Sequence, residues 1–99
     1  MYLVVWEFTV AAENAAHFEA VYGPRGDWAK LFAGSEGYLQ TQLLRDSGNS
    51  QRYVTLDFWA SRQAHENFRR QHAPEYEVLD ACCERLTARE AKLGDFESS

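Results

Sequence analysis

The stretch from Arg52 to Phe68, RYVTLDFWASRQAHENF, constrains the fold more than any other part of the chain. Tyr53, Val54, Thr55, Leu56, Phe58 and Trp59 are β-branched, aliphatic or aromatic in near-continuous order, the composition of a buried strand. The run stops at Ala60-Ser61, where a serine can cap a helix by accepting a backbone N–H bond. Beyond it Ala64, Phe68 and His72 recur at four-residue spacing, with His65 three before Phe68, so all four share one side of a helix. A buried strand running straight into an amphipathic helix is the centre of a small α+β domain.

The flanks complete that domain. Tyr2–Val10 (YLVVWEFTV) reads as a central strand, apolar on both faces except at Glu7 and Thr9. Such a strand needs helices over one face and other cover, such as a partner's sheet, over the second. Ala11–Tyr22 reads as a helix with Ala11, Ala15, Phe18 and Tyr22 inward, ended by Gly23-Pro24, with Gly23 suited to a left-handed cap. Asp27 is placed to cap a short second helix that turns Trp28, Leu31 and Phe32 inward, and Gly34 closes it. Tyr38–Arg45 is the second strand, and residues 46–50 form a hairpin loop.

After the central helix, Pro74 opens a further one with Tyr76, Leu79, Cys83 and Leu86 along its inner stripe. Ala91, Leu93 and Phe96 mark a last strand returning to the sheet. This order is that of a ferredoxin-like split βαβ fold, an antiparallel sheet with helices on one face. The expectation is one domain over residues 1–97, with 98–99 as a disordered tail.

A chain of 99 residues can bury about two-thirds of its extended surface. Three Trp, five Tyr and six Phe exceed what so small a core needs, which points to a dimer interface, an aromatic-lined pocket, or both. The net charge of −5 argues against a nucleic-acid partner. Cys82 and Cys83 are adjacent within a helical pattern, poorly placed to bond each other, and two free thiols fit a reducing compartment. No apolar run reaches membrane-spanning length, so a cytoplasmic protein without a membrane partner is expected.

Alternation sorts the candidate chemistry. In the Arg52–Trp59 strand, Val54, Leu56 and Phe58 share one face, and Tyr53, Thr55, Asp57 and Trp59 the other. The Tyr38–Arg45 strand divides into Leu39, Thr41, Leu43 against Tyr38, Gln40, Gln42. A face carrying Tyr, Thr, Asp, Gln and Trp suits either a polar dimer interface or a ligand cavity. Asp57 between Leu56 and Phe58 must be paired, solvated or protonated. Arg45 or Arg52 could pair with it; unpaired, it is a candidate base, or the carboxylate that orients a histidine. His72, on the inward side of its helix, is the first candidate for a general base, ahead of His65. Tyr22, Trp28 and Tyr76 sit on inner stripes as core or pocket wall. Glu13 and His17 have metal-ligand spacing without a third ligand, so no metal site is expected.

The segment Phe58-Trp59-Ala60-Ser61-Arg62-Gln63-Ala64 resembles the signature stretch of the antibiotic biosynthesis monooxygenase family. The resemblance implies a ferredoxin-like domain pairing through its sheet as a dimeric α/β barrel. It also implies oxygenation of a small quinol- or anthrone-like aromatic by O₂ with no cofactor. Many members carry a histidine where this chain has Phe68; a second histidine seen in some lies one residue from His72, which favours His72 as the catalytic base with Asp57 beside it. Tyr22, Trp28, Trp59, His65, Phe68 and Tyr76 would then line the substrate pocket. The alternative is a non-catalytic homodimer binding a small hydrophobic metabolite.

Overall fold

A computed structural model describes residues 1–98. Four strands, β1 (Tyr2–Thr9), β2 (Tyr38–Arg45), β3 (Arg52–Trp59) and β4 (Arg89–Glu97), form an antiparallel sheet in the order β2-β3-β1-β4. Helices α1 (Ala15–Tyr22), α2 (Asp27–Ala33), α3 (Arg62–Gln71) and α4 (Ala73–Cys83) complete the α+β fold expected from the sequence. The two most apolar strands, β1 and β3, are the central pair. Ser61 caps α3, its Oγ accepting the Ala64 N–H at 3.1 Å.

The face of the sheet turned to the helices carries Tyr2, Val4 and Phe8 of β1 and Tyr53, Thr55 and Trp59 of β3, all buried. Phe18, Trp28, Phe32 and Phe68 come down onto it from the helices as a chain of aromatic contacts. The tyrosine- and threonine-bearing face of β3 is therefore the one under the helices, not a face offered to a partner sheet. Leu3, Val54, Leu56 and Phe58 lie on the other face, partly exposed, with Phe96 54% exposed beside them on β4.

Four local expectations change. Strict alternation fails in β2, where the register slips between Tyr38 and Gln40 and leaves Leu39 as an extra, bulged residue. Tyr38 and Thr41 consequently reach the same side of the sheet, opposite Trp59 and Asp57. Gly23 is extended, at φ −73° and ψ 176°, rather than left-handed. The left-handed residue is Gly37, at φ +89°, where a Cβ would lie 2.5 Å from the Ala64 side chain. Gly26, not Asp27, occupies the N-cap of α2, and Asp27 is its first helical residue. Finally, α3 ends at Gln71 and the chain turns at His72 (φ −118°, ψ 25°), so the helical phase that placed His72 inward does not reach it, while α4 follows as the separate helix expected. Ser98 donates its N–H to the Met1 carbonyl at 3.0 Å, and Ser99, the rest of the expected tail, lies outside the described residues.

Candidate active site

Between the helix-facing side of the sheet and α2 and α4 the packing is incomplete. A cavity of about 300 Å³ remains, walled by Trp6, Phe8, Tyr22, Trp28, Phe32 and Tyr76. That size lies at the lower end of ordinary small-molecule sites. Its polar groups are few: Thr41, Thr55 and Asp57 from the sheet, Arg69 from α3, Asp80 from α4 and Glu90 from β4.

Asp57 sits mid-strand on β3, across from Val4 on one neighbour and Thr41 on the other. The neighbouring backbone is held by sheet pairing on both sides, so the carboxylate stays on the cavity face of the sheet. Neither arginine expected to neutralise it does so. Arg45 pairs with Glu19 at 3.7 Å, and Arg52 with Glu7 at 2.8 Å and Asp46 at 3.3 Å. Among the described residues the partner of Asp57 is Thr41, whose Oγ1 donates to Oδ1 at 2.8 Å. Burial pushes its carboxyl up to about 6, with the Thr41 bond acting in the opposite direction. A base titrating close to neutral pH is thereby produced without a histidine.

Thr41 is fixed in turn by Tyr38, whose hydroxyl lies 2.8 Å from the same Oγ1. Thr55, buried and two residues from Asp57 on the same face, also lines the cavity. Burial raises the Tyr76 and Tyr22 hydroxyls above their usual range, so both remain neutral donors at physiological pH. The Arg69 guanidinium lies over the Tyr76 ring, 4.0 Å from its centroid. Burial, with the carboxylates of Asp80 and Glu84, raises Glu90.

The structure thus brings together Asp57, Tyr22, Trp28 and Tyr76 from the sequence-derived set, and leaves the others elsewhere. His72 is outside the cavity lining, at the α3–α4 junction, with Nδ1 2.7 Å from a Glu75 carboxylate oxygen and its ring stacked on Phe68. Its four-residue spacing from Phe68 suggested an inward ring, but the helix ends there and turns it aside. His65 packs against Trp59 and Tyr2, and burial lowers it to about 4, so it is a neutral, half-buried ring at the edge of the core. Trp59 and Phe68 are completely buried behind the cavity walls. Thr55 lies on the strand face expected to line a cavity or an interface, whereas Trp6, Phe8, Phe32, Thr41, Arg69, Asp80 and Glu90 are pocket residues that the sequence did not single out. Alternation in β1 placed Trp6 and Phe8 together; the bulge hid Thr41.

A family model described as antibiotic biosynthesis monooxygenase matches residues 1–77. The chain belongs to that family. Among solved structures, the antibiotic biosynthesis monooxygenase domain described here is similar to SnoaB from Streptomyces nogalater, described as a cofactor-independent oxygenase. A point-mutant form of SnoaB is 25% identical with a TM-score of 0.80, the match covering 98% of this chain and 91% of that one. A candidate antibiotic biosynthesis monooxygenase from Bordetella bronchiseptica, 17% identical, matches at a TM-score of 0.74 over 99% of this chain and 96% of the other, and speaks for the fold. A comparison with curated proteins finds no match. No helix among the described residues is long and apolar enough to cross a membrane.

Proposed function

We propose that this protein is a cofactor-independent monooxygenase that uses O₂ on a small, electron-rich aromatic of the quinol or anthrone type. The observation that carries the proposal is Asp57, a carboxylate held near neutral pKa at the floor of an aromatic cavity and lacking a cationic partner among the described residues. Family membership and the likeness to SnoaB support the same class of reaction. The role of base moves from His72 to Asp57, because of these two Asp57 alone lines the cavity.

The chemistry balances on an anthrone. Asp57 takes a proton from the ring methylene, and the resulting anion passes one electron to O₂. Recombination of the two radicals forms a peroxide at that carbon. Protonated Asp57 returns its proton to the peroxide; loss of water, with the second methylene hydrogen, leaves a carbonyl. In sum, CH₂ and O₂ become C=O and H₂O. Thr55 and Tyr76 supply hydroxyl donors for the developing oxyanion, and the aromatic walls hold the ring and exclude water.

The apolar back of the sheet supports a homodimer paired face to face, with Leu3, Val54, Leu56, Phe58 and Phe96 in the interface. Oxygen-electrode measurements with 1,8-dihydroxyanthrone and a reduced naphthoquinol test the activity. Wild type consumes O₂ faster than the spontaneous reaction, and Asp57→Asn is slower by about 10²–10⁴-fold. Uptake at the spontaneous rate with both compounds rejects the oxygenase in favour of a non-catalytic binding protein.

A further inference from the structure

Beneath the cavity three side chains on two adjacent strands join in a line: Tyr38 Oη, Thr41 Oγ1 and Asp57 Oδ1, with both gaps 2.8 Å. The direction of this line follows from proton counting. A carboxylate only accepts, so Thr41 spends its single hydroxyl proton on Asp57, and the Tyr38 hydroxyl must then donate to Thr41. Thr41 is 4% exposed and held in the sheet opposite Asp57, so its hydroxyl has little freedom to turn elsewhere. Oδ1 is therefore occupied, while Oδ2 has no protein donor among the described residues and belongs to a residue that lines the cavity.

We propose that the Tyr38–Thr41–Asp57 chain is a positioning device that keeps Oδ1 engaged and presents Oδ2 alone to the substrate as the proton-accepting atom. The inference rests on the oxygenase reading for its purpose, though the hydrogen-bond chain itself can be tested without turnover. The extra residue in β2 makes the arrangement. Without the bulge at Leu39, Tyr38 and Thr41 would point to opposite faces, and no phenol could reach Thr41 from below the helices.

The device also divides the work of the two oxygens. While Asp57 is charged, Thr41 donates to it and holds its plane fixed. When Oδ2 takes a proton, the charge-assisted Thr41 bond weakens to a neutral one, which makes return of that proton easier later in the cycle. Other groups around Asp57 do not substitute for Thr41. Val4 and Trp6 on β1, and Trp28 and Phe32 on α2, carry no ionisable group. Tyr22 of α1, Arg69 of α3, Tyr76 and Asp80 of α4 and Glu90 of β4 line the same cavity, and none hydrogen-bonds to Asp57. Arg69 is engaged with the Tyr76 ring instead.

The test is a carbon-13 NMR titration of the Asp57 carboxyl in the full chain, with Thr41→Val, Thr41→Ser and Tyr38→Phe beside wild type and Asp57→Asn as the assignment control. Loss of the Thr41 donor raises the midpoint of Asp57 by about one pH unit, since a bond to the charged form is removed. Thr41→Ser restores the wild-type midpoint, and Tyr38→Phe gives a smaller rise in the same direction. Hydrogen exchange on the same samples shows whether each variant is folded, and should Thr41→Val unfold, Tyr38→Phe supplies the reading, an unchanged midpoint there overturning the proposal. A midpoint unchanged in Thr41→Val, or one in Thr41→Ser that departs from wild type by a unit, overturns the proposal. If the midpoints move as stated but no variant nor wild type consumes O₂ above background, the hydrogen-bond chain stands and the oxygenase reading falls.

Discussion

Strand β3 treats charge in opposite ways at its hairpin end and in its interior. At the hairpin end Arg52 bridges Glu7 and Asp46, and nearby Arg45 reaches Glu19, so acids there meet arginines close to water. Five residues along the strand from Arg52, Asp57 has only a threonine hydroxyl, under a lid of aromatic side chains. Two arginines were near enough in sequence to neutralise it, and the fold directs both elsewhere. The contrast teaches that an unpaired carboxylate in mid-sheet is a feature the chain sustains at some cost in stability, whereas the hairpin pairs are ordinary surface electrostatics.

The strongest way to break this comparison is to remove each charge in turn. Asp57→Asn is expected to reduce O₂ uptake on 1,8-dihydroxyanthrone by about 10²–10⁴-fold, measured in an oxygen electrode. Arg52→Ala should leave uptake within about twofold, because it meets Glu7 and Asp46 outside the cavity. An equal loss in both variants would erase the distinction.

Stability sharpens it next. The folded-state pKa of Asp57 lies above the unfolded value, so the folded protein binds the proton more tightly. Stability from this group is therefore full at low pH and falls as pH rises from about 4 through about 6. Asp57→Asn should be more stable than wild type at pH 8 by up to about 3 kcal/mol, and the gap should close near pH 4, as read from urea unfolding at both pH values. Arg52→Ala should show only a small fall in Tm, about a degree or two, that shrinks with added salt.

The back of the sheet offers a further contrast with the helix-covered side. Phe58→Asp should shift a face-to-face dimer toward monomer by about tenfold or more in dissociation constant, followed by sedimentation equilibrium, without touching the cavity lining. The smallest effect is expected at His72→Ala. Its ring pairs with Glu75 at the surface of the α3–α4 junction, so uptake should stay within about twofold of wild type.

Much of this architecture was legible in the residues. The near-continuous apolar runs at Tyr2–Thr9 and Arg52–Trp59 marked the central strands, and Ser61 marked the start of α3 because cap chemistry is local. Asp57 also stood out, since a carboxylate in a buried run demands an explanation. What the sequence concealed depends on one-residue events. The bulge at Leu39 turns Thr41 and Tyr38 to one side, and period-two alternation has no means of signalling an inserted residue. The break at His72 similarly ends the helical phase on which its inward placement was founded. Cavity walls drawn from β1, α1, α2 and α4 arise from tertiary packing, which neither period encodes.

The most direct measurement of the central claim is the pH dependence of kcat/KM for O₂ uptake on 1,8-dihydroxyanthrone, wild type against Asp57→Asn. Asp57 acting as the base predicts a wild-type rate that rises with pH through a half-point near 6, and a residual Asp57→Asn rate that lacks this limb. The same limb persisting at the same pH in Asp57→Asn would contradict the account.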